Sequence, residues 1–112
     1  MAVIVRDVDK AAAFYRGVFG LAELERLTAR ISQHRGAWFR VGALELHLQE
    51  RADADTSKSE QHFALYTRGL DAIAERVPRF GGRVEQAKLI EGVSKRCFAF
   101  DPDGNRIELL EK

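Results

Sequence analysis

At 112 residues, 46% hydrophobic and 31% charged, the chain has the length and composition of one globular domain with a modest core, which excludes a disordered or fibrous class. Its 18 basic and 17 acidic residues leave a net charge of +1, too little to build a field for gripping nucleic acid or an anionic membrane. No apolar run approaches the ~20 residues needed to cross a bilayer, and the first apolar residues are followed at once by charge, unlike a signal peptide, so a cytoplasmic protein is expected.

Ala2 to Val5 read as a strand at the very start of the numbered chain. Asp7 is then a good N-cap, and Val8, Ala11, Ala12, Tyr15, Val18 and Phe19 recur at helical spacing until Gly20 stops the helix. The next stretch, "LAELERLTARIS", has helical propensity but lies between a helix stop and the strands "AWFRV" and "ALELHLQ"; context favours a strand. Residues 51–60, "RADADTSKSE", have the composition of a solvated linker. Beyond them "HFALYT" alternates as a strand, and Leu70, Ile73, Val77 and Phe80 carry a second helix of about three turns, with Pro78 in its last turn. "RVEQAKLI", "KRCFAF" and "NRIELLE" follow as strands, the last two joined by the turn "DPDG". Cys97 is the single cysteine, which excludes an intrachain disulfide and a cysteine-based zinc cluster; it reads as a small apolar filler in a strand.

Each half is thus strand, helix, three strands. A shift of 62 residues superposes Val8 on Leu70, Asp9 on Asp71, Ala12 on Ala74 and Gly20 on Gly82. The predicted architecture is α+β: two tandem βαβββ modules forming a curled mixed sheet around a cavity, helices packed outside, with residues 1–50 as the first module, 51–60 as linker and 61–112 as the second.

Strand alternation puts Glu45, His47 and Gln49 on one face of "ALELHLQ" and the leucines on the other. In "RIELL" it sets Ile107 and Leu109 against the helix and turns Glu108 inward, where a lone carboxylate requires a partner. His62 opens its strand and shares the hollow. On these residues alone two readings stand. One is a strand-edge histidine and an ion-paired glutamate, since buried polar groups ordinarily find protein partners. The other is a divalent metal held by imidazole and carboxylate ligands, with positions open for substrate. His34, in "SQHRGAW", reads as a loop histidine.

The stretches "VRDVDKAAAFYRGVFGL", "AWFRVGALELHLQE", "HFAL" and "DPDGNRIELLE" together resemble the vicinal oxygen chelate superfamily, which includes glyoxalase I, bleomycin-resistance proteins, fosfomycin-resistance thiol transferases, methylmalonyl-CoA epimerase and extradiol dioxygenases. The resemblance covers essentially the whole chain and implies paired βαβββ modules. It also implies metal ligands at His47, His62 and Glu108, with Glu45 as the alternative ligand on the face of His47. Matching His47 to Glu108 needs a one-residue difference in the turns after Gly42 and Gly104. The 62-residue shift sends His62 to the position before Met1, where metal-binding relatives carry a histidine. Three expectations follow from that: a ligand upstream of Met1, a three-ligand site, or a member that holds no metal.

The resemblance implies substrate contacts at Trp38, Arg40, Arg96, Phe98 and Phe100. It implies a glyoxalase-like lyase or isomerase in which a divalent metal (Zn, Ni, Mn or Fe(II)) chelates a small oxygen-rich substrate and Glu108 or Glu45 transfers the proton. An iron(II) dioxygenase would use the same three ligands, although such relatives are usually longer; no potassium-binding loop or phosphonate pocket of a thiol transferase is recognisable. The contrasting class is a non-catalytic small-molecule (antibiotic) binding protein of the bleomycin-resistance type, in which Glu108 would need another partner such as an arginine. Either way a homodimer is expected.

Overall fold

The computed structural model describes residues 1–25, 35–54 and 62–112. Ala2–Val5 (β1) buries Val3 and Val5 by alternation and leads into Val8–Phe19 (α1). The Asp7 carboxylate caps that helix by accepting the Lys10 N–H at 3.1 Å. Gly20 ends it at φ 66°, the left-handed conformation that glycine adopts without cost, its N–H donating to the Arg16 carbonyl at 2.9 Å. Glu23–Leu24 (β2), Gly36–Val41 (β3) and Leu44–Glu50 (β4) complete a sheet in the order β1-β4-β3-β2, with β1 parallel to β4 and the other pairs antiparallel.

The second half repeats this plan. His62–Tyr66 (β5), Leu70–Arg76 (α2), a 3-10 turn at Pro78–Phe80, Arg83–Gln86 (β6), Lys95–Phe100 (β7) and Arg106–Glu111 (β8) form a sheet in the order β5-β8-β7-β6. The two-module α+β plan therefore stands, each module giving one four-stranded mixed sheet, and the two sheets do not close into a barrel. A shared device fixes each helix to its own sheet. The Val8 N–H donates to Glu50 Oε2 at 2.9 Å, and the Leu70 N–H donates to Glu111 Oε1 at 2.7 Å, so the last glutamate of the fourth strand satisfies a first-turn amide in both modules.

Three elements differ from expectation. The helix predicted to run through Val77 and Phe80 is α-helical only to Arg76, because Pro78 has no N–H for the helical ladder and the chain tightens into a 3-10 turn. The strand predicted over "RVEQAKLI" stops at Gln86: β7 begins only at Lys95, and the Lys88 carbonyl accepts from Arg96 Nη1 instead. Leu89 and Ile90 are accordingly exposed. Of the strand predicted over "LAELERLTARIS", β2 is the part within the described residues; residues 26–34, including His34, lie outside them, as do residues 55–60 of the predicted linker. Among the described residues no helix is long and apolar enough to cross a membrane.

The core unites the modules. Phe14, Tyr15 and Val18 of α1 join Phe39, Leu46 and Leu48 of the first sheet with Ile107 and Leu109 of the second sheet and Val77 at the end of α2, all fully buried. Gly17 lets the helices meet, since a Cβ there would stand 2.2 Å from the Phe80 ring. The polar seam is Asp101, buried at the end of β7. Its Oδ1 accepts the N–H groups of Asp103 and Asn105, each at 2.9 Å. Its Oδ2 accepts the Tyr15 hydroxyl at 2.8 Å and Asn105 Nδ2 at 3.0 Å. Asn105 Nδ2 also donates to the Ile4 carbonyl of β1 at 2.9 Å, and the Arg6 N–H donates to Asp103 Oδ1 at 3.0 Å. The "DPDG" turn, expected to be only a hairpin link, is thus the fastening between the modules. Burial raises the Tyr15 hydroxyl well above its ordinary value, with the Asp101 carboxylate adding to the effect, so it stays a donor.

Tyr15→Phe deletes the hydroxyl and keeps the ring; unfolding in urea is expected to show a loss of about 1–3 kcal/mol, the cost of a charge-assisted buried hydrogen bond. An unchanged urea midpoint would mean that this bond does not hold the modules together.

Candidate functional site

The apolar face of each sheet is used up by the core, so the other face carries the polar side chains. In the first sheet this face presents Trp38 and Arg40 from β3 and Glu45, His47 and Gln49 from β4. Trp38 pairs with His47 in register, and their rings stack at 3.9 Å between centroids and 12° between planes. Gln49 Nε2 lies 3.4 Å from His47 Nδ1. Trp38, Arg40, Glu45 and His47 line an open cavity of about 620 Å³ together with Ala2 and Leu44. Partial burial and then the N-terminal ammonium lower the His47 imidazole below its ordinary pKa, favouring the neutral form that serves as a base or ligand.

In the second sheet the matching face presents His62, Arg83, Glu85, Arg96, Phe98, Phe100, Arg106 and Glu108. Glu108 receives Arg96 Nε at 2.9 Å, and both side chains are about four-fifths buried. His62 pairs in register with Arg106, and Ala64 with Glu108, so His62 and Glu108 share a face of adjacent parallel strands two residues apart. Phe98 faces Glu108 across β7 and β8, with the guanidinium carbons of Arg96 and Arg106 each 5.0 Å from its ring centroid. Arg83 covers Phe100 at 3.8 Å and pairs with Glu85.

Register makes the two sheets comparable position by position. Ala2 stands to His47 as Ala64 stands to Glu108, and Trp38 stands to His47 as Phe98 stands to Glu108. His47 and Glu108 thus occupy equivalent positions, and Glu45 corresponds to Arg106. The three expected metal ligands are not gathered at one point: among the described residues no group of three or more histidine, cysteine or carboxylate side chains is close enough to hold an ion. His62 and Glu108 form a pair on the second sheet, while His47 stands on the first. The expected substrate contacts divide likewise, Trp38 and Arg40 on the first sheet, Arg96, Phe98 and Phe100 on the second. Arg106 was missed by sequence reasoning, although its signal was plain: it lies two residues before Glu108 in "NRIEL" and therefore on the same face.

Residues 1–109 match the family model described as the Glyoxalase/Bleomycin resistance protein/Dioxygenase superfamily. Metallothiol transferase FosB of Shouchella clausii (strain KSM-K16) is 30% identical over 122 residues, spanning 97% of this chain and 75% of that protein. Lactoylglutathione lyase of Neisseria meningitidis serogroup A is 29% identical over 117 residues, spanning 96% of this chain and 85% of that one. A variant of the fosfomycin resistance protein FosX of Listeria monocytogenes, solved with Mn(II) and 1S,2S-dihydroxypropylphosphonic acid, superposes with a TM-score of 0.81 at 21% identity over 98% of this chain and 87% of that one, a likeness of fold.

Two measurements check this geometry. A double-mutant cycle on Arg96→Ala and Glu108→Ala is expected to give a coupling of about 0.5–3 kcal/mol, with the double variant more stable than the sum of single losses predicts. For His47, whose folded-state pKa is lowered, the unfolded chain binds the proton more readily; the stability it contributes is present above the ordinary histidine value and is lost as pH falls through that value toward the lowered one. Trp38 is the sole tryptophan, so its fluorescence is expected to change with His47 protonation, at a midpoint below that of a free imidazole. A midpoint at or above the free value would contradict the stacked, partly buried ring.

Proposed function

The chain belongs to the glyoxalase/bleomycin resistance protein/dioxygenase superfamily, and on that premise we propose that it is a metal-dependent lyase or isomerase acting on a small oxygen-rich molecule. The observation that carries this reading is the pairing of His62 and Glu108 on one face of adjacent strands, with His47 at the register position of Glu108 in the other sheet. Imidazole nitrogen and carboxylate oxygen are a donor set that suits Zn, Ni, Mn or Fe(II). The named relatives support it: one is a metallothiol transferase, another a lactoylglutathione lyase, and the FosX structure holds Mn(II) with a small phosphonic acid.

His62 and Glu108 are the proposed donors of one half-site, and His47 is the proposed donor of the other. Since the described residues of one chain bring no three donors together, the proposed working unit is a homodimer in which the polar face of one copy's first sheet meets that of the other copy's second sheet. When bound, the ion supplies Lewis-acid polarisation of neighbouring substrate oxygens. The chain's own residues do the rest. Arg96, paired with Glu108 at 2.9 Å, holds that carboxylate in place on the face. Glu45, beside His47 in the cavity, is the proposed proton-transferring base. Trp38, Arg40, Phe98 and Phe100 shape the walls that orient substrate.

One observation favours a second reading, a non-catalytic small-molecule binder: Glu108 already has its charge satisfied by Arg96, and such a carboxylate has no need of a metal. Thermal unfolding with Mn(II), Ni(II), Zn(II) and Fe(II) separates the two. The enzyme reading expects a stoichiometric ion and a gain of about 2.7 kcal/mol at one hundred times the Kd, abolished by His62→Ala and by Glu108→Ala. Absence of any metal-dependent gain overturns it in favour of the binder.

A further inference from the structure

Three arginines project from the polar face of the second sheet, and they are not alike. Arg83 is paired with Glu85, and Arg96 with Glu108. Arg96 is further committed by its Nη1, which donates to the Lys88 carbonyl at 2.9 Å. Arg106, half-buried between them, has no carboxylate partner among the described residues; its contacts are the Phe98 ring and the Nδ1 of His62, 3.5 Å from Nη2. A partly desolvated guanidinium without a counter-ion is an electrostatic cost that a bound anion removes. The ring of Phe98 meanwhile holds the guanidinium in place and leaves its donor fork available.

From this we infer that Arg106, rather than Arg96, is the anion-recognising residue of the site, and that the ligand it takes is a small organic oxyanion, a carboxylate or phosphonate. The inference rests on the proposed small-molecule site and names its substrate class. Two or three equivalent oxygens match the guanidinium fork in a bidentate contact. Because Arg106 pairs in register with His62 and lies two residues before Glu108 on the same face, an anion on its fork holds the remainder of the molecule beside both proposed metal donors. Charge also favours it: Arg96 and Glu108 cancel, Arg83 and Glu85 cancel, and Arg106 leaves the face with one positive charge.

The test separates this inference from the metal reading by working in EDTA. Full-length protein is titrated with methylphosphonate and, separately, with acetate by calorimetry. Binding of at least one is expected without metal. Arg106→Gln is expected to weaken it tenfold or more, Arg106→Lys to weaken it less, and Arg68→Gln, an exposed arginine before α2, to leave it unchanged. His62→Ala is expected to abolish the metal-dependent rise in melting temperature. If the native protein binds the anion in EDTA but shows no metal-dependent rise in melting temperature, the metal reading alone fails. Circular dichroism melts confirm that each variant folds. The inference is overturned if neither probe binds in EDTA, or if Arg106→Gln binds as the native protein does.

Discussion

A single buried carboxylate holds the two halves of the molecule in one arrangement. Asp101 accepts from Tyr15 of α1, from two backbone N–H groups of its own turn and from Asn105, which reaches on to the Ile4 carbonyl of β1. An unpaired carboxylate at this depth would cost several kcal/mol; with four donors it becomes a directional constraint that apolar packing alone does not impose. Around it the fully buried side chains of both modules pack as one core. Tyr15, Gly17 and Gly20 in "FYRGVFGL" and Asp101, Gly104 and Asn105 in "DPDGNRIEL" meet structural needs: seam, close helix approach, and turn.

Given that arrangement, both sheets spend their apolar faces on the helices and leave the opposite faces polar. Equivalent strand registers then set equivalent side chains at equivalent places: His47 with Trp38 in one sheet, Glu108 with Phe98 in the other. The differences between sheets are as informative as the likeness. The first offers a stacked imidazole beside an open cavity. The second offers a carboxylate and an imidazole among arginines, two of them neutralised within the sheet and one not. The polar residues of the second face are organised around charge, and those of the first around an aromatic stack.

The amino-acid sequence by itself determined the strand-helix-strand plan and its repetition. Period-2 and period-3.6 spacing depends on local geometry, and caps such as Asp7 and Gly20 act within a few residues. For the same reason it determined which residues face away from the core: alternation in "ALELHLQ" and "RIELL" fixes the sides of His47 and Glu108 wherever the sheets lie. It did not determine that the turn around Pro78 tightens to 3-10 or where β6 ends, because both depend on the partners that the fold supplies. Only the tertiary structure decided that Arg96 is committed to Glu108 while Arg106 is not, and that Tyr15 fastens α1 to the "DPDG" turn, 86 positions away. These are contacts between residues distant in the chain or on neighbouring strands. Which of several arginines reaches a given carboxylate is settled by distance and burial, and neither is written in residue order.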